Sequence, residues 1–195
     1  MNPALPWLIL LAPAVAAVAI TLTALRRPAA AARWSIGAIL VAFAASLWLF
    51  KHGAAGQTTW VWLDLPGLRV DFGLRVDPLS LLMLVVVTGV ASAIHLYSWG
   101  YLHGDPGLPR YYAGLSLFSF AMLGIVLATN LVELFVFWEL VGVSSYLLIG
   151  FWYERPAAAD AAQKAFLTNR VGDFGFLLGI VLVWSVLGTL DLAEL

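Results

Sequence analysis

The chain has no cysteine. That excludes disulfide frameworks, thiolate-held metals and Cys-ligated iron–sulfur clusters, so no cluster-based electron transfer belongs to this chain. Charge is scarce as well. Only 11% of the 195 residues are Asp, Glu, Lys or Arg, and the formal net charge is −1. Soluble domains are about a quarter charged. Nothing here points to nucleic acid or to peripheral binding at an acidic lipid surface. The three histidines, His52, His95 and His103, are scattered with no metal-ligand spacing, so no metal site is expected. No Gly-rich phosphate loop and no Ser/His/Asp set is present. What remains is apolar: 63% hydrophobic residues and a mean hydropathy of +0.95. Such a composition predicts an all-α integral membrane protein whose first partner is the lipid bilayer.

About 20 apolar residues cross a bilayer. Six stretches have that character: Pro6–Leu25, Trp34–Phe50, Pro78–Tyr101, Tyr111–Thr129, Leu131–Trp152 and Lys164–Leu187. The first, opening MNPALPW, has no basic residue ahead of it and is read as a retained helix, not a cleaved signal. One set of loops carries Arg26, Arg27, Arg33, Arg110, Arg155 and Lys164; the other carries Lys51, Arg69 and Arg75. The positive-inside rule then places the N-terminus outside the cytoplasm. Asp77–Pro78 reads as an N-cap followed by proline at the first helical position, and Asn130 with Glu133 as a capping-box-like start of the fifth span. Trp99 and Tyr101 supply interfacial aromatics. Between spans two and three the pattern changes. Leu68–Asp77 alternates apolar and polar residues, Trp60–Leu65 precedes it, and Pro66–Gly67 is a turn signal. These predict a short extracytoplasmic β-hairpin.

The few intramembrane charges are the functional candidates, because a charge at a helix centre costs about 2.5–3.5 kcal/mol to insert. Glu133 has an ordinary explanation in the first turn of its helix. Glu139 does not: it lies about 12 Å into its span. Gly142 and Ser145, on or near its face, give a neighbouring helix or water room to approach. A protonated carboxyl bonded to a neighbour is one reading of Glu139. A group that gains and loses a proton is the reading preferred. On the sixth span Arg170 and Asp173 are three apart and share a face. They are open to two roles, a structural ion pair or a part in charge transfer. Lys164 reads as a snorkelling residue at the start of its span, with a further role in proton uptake open to it. Gly175–Gly179 is a GxxxG motif for close helix approach, on another face than Arg170 and Asp173. His95, near the end of the third span, is read as structural.

Two longer stretches carry a resemblance. RVDPLSLLMLVVVTGVASAIHLYSWGY (Arg75–Tyr101) resembles the signature segment of subunit L, the chain 5 type of antiporter-like subunit, of respiratory NADH:quinone oxidoreductase. FWELVGVSSYLLIGFW (Phe137–Trp152), followed by KAFLTNRVGDFGFLLGI (Lys164–Ile180), is similar to the fifth and sixth helices of that family. The resemblance runs from about Trp60 onward; the first two helices fit in character. It implies a multi-pass, proton-translocating subunit of the bacterial inner membrane, partnered by other membrane-arm subunits. NADH, FMN, iron–sulfur clusters and quinone would sit in partner subunits, with no cofactor here. Glu139 matches a glutamate that in the family works with a lysine on the seventh helix; Lys164, Arg170 and Asp173 match family charges on the sixth. Family members are several times longer, with inverted repeats, so an N-terminal fragment is expected. Its parts would be a two-helix region (1–56), the hairpin (57–77), helices three and four (78–130) and the start of the translocating domain (131–195). Two other readings remain: a subunit of a cation/proton antiporter or inorganic-carbon uptake complex, and a passive membrane scaffold.

Overall fold

The computed structural model describes residues 4–53, 55–65 and 68–195. Six helices long and apolar enough to span a membrane are present among them. Helix α1 is Ala4–Ala19, and one π-turn, Ile20–Ala24, continues it; α2 is Pro28–His52. Strands β1 (Gly56–Leu65) and β2 (Leu68–Val76) follow. Then come α3 (Pro78–Tyr101), α4 (Leu108–Leu127), α5 (Leu131–Ile149) and α6 (Pro156–Leu187). The chain is a multi-pass helical membrane protein with a small antiparallel sheet between its second and third helices.

Two helices begin six or more residues earlier than hydropathy indicates. α2 starts at Pro28, six residues before Trp34, and α6 starts at Pro156, eight before Lys164. Both added segments open with proline at the first helical position and run into alanines, which favour helix without adding to an apolar run. α6 is therefore 32 residues long. At 1.5 Å per residue that is about 48 Å, against a hydrocarbon core of about 30 Å, so α6 tilts or extends beyond the core. α4 and α5 end two and three residues before the expected limits, at Leu127 and Ile149.

β1 begins at Gly56, one residue before the expected hairpin boundary at 57 and four before Trp60, where the strand pattern begins. The hairpin register runs from Gly56 opposite Val76 to Leu65 opposite Leu68, with a bulge between Val61 and Leu63. The expected Pro66–Gly67 turn lies outside the described residues. Val70, Leu74 and Val76 point inward and are buried, which is the period-two pattern read from the sequence. Phe72 lies between Trp60 (5.3 Å) and Phe137 (6.4 Å), and Trp60 stacks on Trp7 (5.1 Å), so the hairpin rests on α1 and α5 through aromatic rings. Asp77 and Ser80 form a full capping box at the start of α3: the Ser80 N–H donates to Asp77 Oδ1 at 2.8 Å, and the Asp77 N–H donates to Ser80 Oγ at 2.7 Å.

The apolar core lies in two clusters. The one near the hairpin contains Ile9, Leu10, Ile39, Leu49, Leu84, Leu123 and Phe137 among others. The one at the opposite face contains Ile20, Ala24, Ala31, Leu102, Leu108, Tyr112 and Phe151. Between them α2, α3 and α4 meet through small and polar residues: Ser35, Ser92, His95, Ser116 and Ser119 are all buried. Gly124 is the tightest contact of α4 with α5; a Cβ there would overlap the Phe137 ring.

Candidate functional site

The intramembrane charges converge on the α5–α6 contact. α5 and α6 run antiparallel and are held by aromatic side chains, with Phe176 against Phe135 (5.6 Å) and Trp138 (5.8 Å), and Tyr146 against Phe166 (5.4 Å). Between these contacts Arg170 of α6 forms an ion pair with Glu139 of α5. Its Nη1 is also 3.7 Å from Asp173 Oδ2, one turn along α6. The guanidinium carbon is 4.7 Å from the centre of the Phe166 ring, so an aromatic face supports the cation. Asp173 accepts a 2.9 Å hydrogen bond from the Trp138 indole N–H. The Asp173 side chain is 11% exposed, Glu139 22% and Arg170 38%. One guanidinium thus faces two carboxyl groups.

The sequence reading paired Arg170 with Asp173, and that contact exists at 3.7 Å. The cross-helix pairing of Arg170 with Glu139 was not read, because the relative rotation of two helices is set by packing that no single-helix pattern encodes. Trp138 and Phe166 were missed too. A signal for Trp138 was available: an indole N–H inside a membrane needs an acceptor, and Trp138 is next to Glu139 in sequence. Lys164 falls in a different place from the one expected. It is the ninth residue of α6, not its first, it is exposed, and it makes no ion pair with another described residue. The GxxxG glycines, Gly175 and Gly179, meet no other described atoms where a Cβ would stand, so the motif makes no close helix contact among the described residues. Gly142 is likewise open, and the Ser145 hydroxyl donates to the Gly142 carbonyl within α5.

Glu133 does more than the capping box suggested. Asn130 caps α5 by accepting from the Glu133 N–H at 2.9 Å. The Glu133 carboxylate does not return to the Asn130 N–H. It accepts from the Thr129 N–H (2.9 Å) and hydroxyl (2.8 Å), and from the Gly73 N–H of β2 (3.4 Å). The Asn130 amide donates to the Asp71 carbonyl at 2.5 Å. The segment after α6 joins the same knot: the Leu131 N–H donates to the Leu190 carbonyl, and the Leu192 N–H to the Thr129 carbonyl, both at 3.0 Å. Glu133 is 2% exposed and fully engaged in holding these segments together.

Fold and site together define a polytopic membrane protein with a charge cluster between two of its spanning helices. Residues 62–112 match the family described as NADH-Ubiquinone oxidoreductase (complex I), chain 5 N-terminus, and residues 128–195 match that described as NADH:quinone oxidoreductase/Mrp antiporter, TM. The NAD(P)H-quinone oxidoreductase chain 5 of Synechocystis sp. is 52% identical over 157 residues, covering 80% of this chain and 23% of the relative. The chloroplastic subunit 5 of Chlorokybus atmophyticus is 43% identical over 196 residues, covering 95% and 30%. A chain of the membrane-bound sulfane sulfur reductase, an archaeal respiratory membrane complex, shares the fold with a TM-score of 0.78 at 20% identity, over 97% of this chain and 38% of that one. The chain belongs to the chain 5, antiporter-like family of NADH:quinone oxidoreductase membrane subunits. It spans about a quarter of the length of the first curated relatives it matches.

Proposed function

We propose that this chain forms the N-terminal part of a proton-translocating subunit of an NAD(P)H:quinone oxidoreductase, and that Glu139 is a proton-carrying group in it. The observation that carries this reading is the charge balance of the site. Arg170 neutralises one of the two carboxyl groups of Glu139 and Asp173. In a low-dielectric setting the second carboxyl needs either a proton or another cation, and an approaching or departing cation decides which. An excess acid beside a single guanidinium is therefore a site that exchanges a proton for a positive charge. Arg170 serves as the resident counter-charge, and the Trp138 indole and Phe166 ring hold Asp173 and Arg170 in place. A lysine on a seventh helix would be the mobile partner. Lys164, exposed on the first turns of α6, snorkels to the membrane surface, where a further role in proton uptake is open to it. The antiporter-like translocating domain begins with α5.

The relatives named above are NAD(P)H-quinone oxidoreductase subunits, which favours that complex over a stand-alone antiporter. In this reading NADH, FMN, iron–sulfur clusters and quinone are handled by partner subunits, and redox events there move charge along the membrane arm to the site. The hairpin faces away from the cytoplasm, in the inner membrane of a bacterium, and the loops with Arg26, Arg27, Arg110 and Arg155 face the cytoplasm. The test is Glu139→Gln in the assembled complex, measuring protons moved per electron in sealed vesicles. The ratio falls while electron transfer with uncoupler persists. An unchanged ratio removes the role. A loss of assembly with a normal ratio in the surviving complex assigns the cluster to scaffolding.

A further inference from the structure

Away from Glu139, Arg170 and Asp173, the junction of α2, α3 and α4 contains a second buried polar group of different character. His95 of α3 is fully buried, with its ring 6.2 Å from that of Tyr112 of α4. Its Nδ1 is 2.7 Å from the Ala91 carbonyl, one turn back in α3. A carbonyl only accepts, so Nδ1 carries the hydrogen and the neutral ring presents Nε2 as an acceptor. No protein donor reaches Nε2 among the described residues.

The neighbouring hydroxyls do not supply that donor. Thr88 donates to the Leu84 carbonyl (2.5 Å), Ser92 to the Thr88 carbonyl (2.7 Å) and Ser119 to the Leu115 carbonyl (2.9 Å), each one turn back in its own helix. The Tyr112 hydroxyl donates to the His95 carbonyl at 2.9 Å. Ser35 and Ser116 share a 2.6 Å hydrogen bond across α2 and α4. The junction is thus rich in lone pairs and poor in free protons. A buried acceptor left without a donor costs about 1–3 kcal/mol, and buried polar groups of this kind are met by internal water with two to four partners.

We propose that the α2–α3–α4 junction is an internal water site, with His95 Nε2 as its principal acceptor. Water fits the chemistry on three counts: it brings two donors to a place that lacks them, it is small, and it adds no charge. The tautomer of His95 is fixed by Ala91, so the ring binds water without relaying protons through itself. One turn along α3, the Ser98 and Tyr111 hydroxyls are 3.1 Å apart and continue the polar line toward the end of the bundle opposite the hairpin. The site stands whether or not Glu139 carries protons.

A cryo-EM map of the assembled complex, at a resolution that shows ordered water, tests this for the wild type and for His95→Phe. The expected result is a water peak within hydrogen-bonding distance of Nε2 that is lost in the variant. Nitrogen-15 NMR of the histidine-labelled complex is expected to show the Nδ1–H tautomer, with a water-proton correlation to Nε2. A side-chain donor on Nε2, dry apolar packing against it, or the Nε2–H tautomer overturns the proposal. Should His95→Phe fail to assemble, the wild-type map and tautomer still decide.

Discussion

Arg170 answers to three neighbours at once: Glu139 on the facing helix, Asp173 on its own, and the Phe166 ring beneath it. Arg170→Gln leaves the two carboxyl groups facing one another without a cation and lowers the thermal midpoint of the complex. Adding Glu139→Gln to that variant removes the repulsion. The double variant is expected to be more stable than the sum of the two single losses, by about 1 kcal/mol or more, as contacting groups require. Additive losses would show that the contact is not energetically coupled. Asp77 is a simpler case outside the spans. Hydrogen bonding from the Ser80 N–H, with Arg75 nearby, holds its carboxyl below the ordinary aspartate range. A lowered carboxyl stabilises the fold above the unfolded value and loses that contribution as pH falls through the folded one. Asp77→Ala is expected to cost about 1 kcal/mol at neutral pH. The difference from wild type starts to shrink as pH falls below about 3.9 and disappears only below the lowered folded value, as a pH series of thermal melts would reveal. Much of this scale was legible in the sequence. Glu139, Asp173 and the Asp77 cap stand out because a charge in lipid or a capping residue before proline has few explanations. Glu133 is legible only in part, because Thr129 is a local partner while Gly73 reaches it only by the folding of the hairpin onto α5.

At the scale of elements, the spans and the hairpin follow from hydropathy and period, while the starts of α2 and α6 do not. Alanine runs after a proline have helix propensity without membrane hydropathy, and a window tuned to one is blind to the other. Close packing is equally invisible in a single chain. Gly175 and Gly179 have the familiar spacing, yet a Cβ at either would meet nothing among the described residues, whereas Gly124, outside that motif, carries the closest α4–α5 approach. Gly124→Ala forces the Phe137 ring to move and is expected to cost about 1–3 kcal/mol as an overpacked contact. Phe137→Leu in the same background should restore part of the loss. Unchanged melting of Gly124→Ala would mean that α4 and α5 pack less tightly than described.

At the scale of the whole molecule, the absence of cysteine makes orientation directly measurable. Single cysteines placed at Thr58 in the hairpin and at Arg27 between α1 and α2 should label from opposite sides of a sealed membrane. Thr58→Cys is expected to react with an impermeant thiol reagent from outside the cytoplasm, and Arg27→Cys only after permeabilisation. The reverse pattern would invert the topology. The knot of Thr129, Asn130 and Glu133 bears on the mechanics of such a molecule. It fastens β2, the α4–α5 turn and the segment after α6 at one point. From Glu133 to Glu139 is about 9 Å of α-helix, with neither proline nor glycine to absorb bending. A load applied to the hairpin is delivered to the carboxyl group as the displacement of a stiff rod, with little slack along the way.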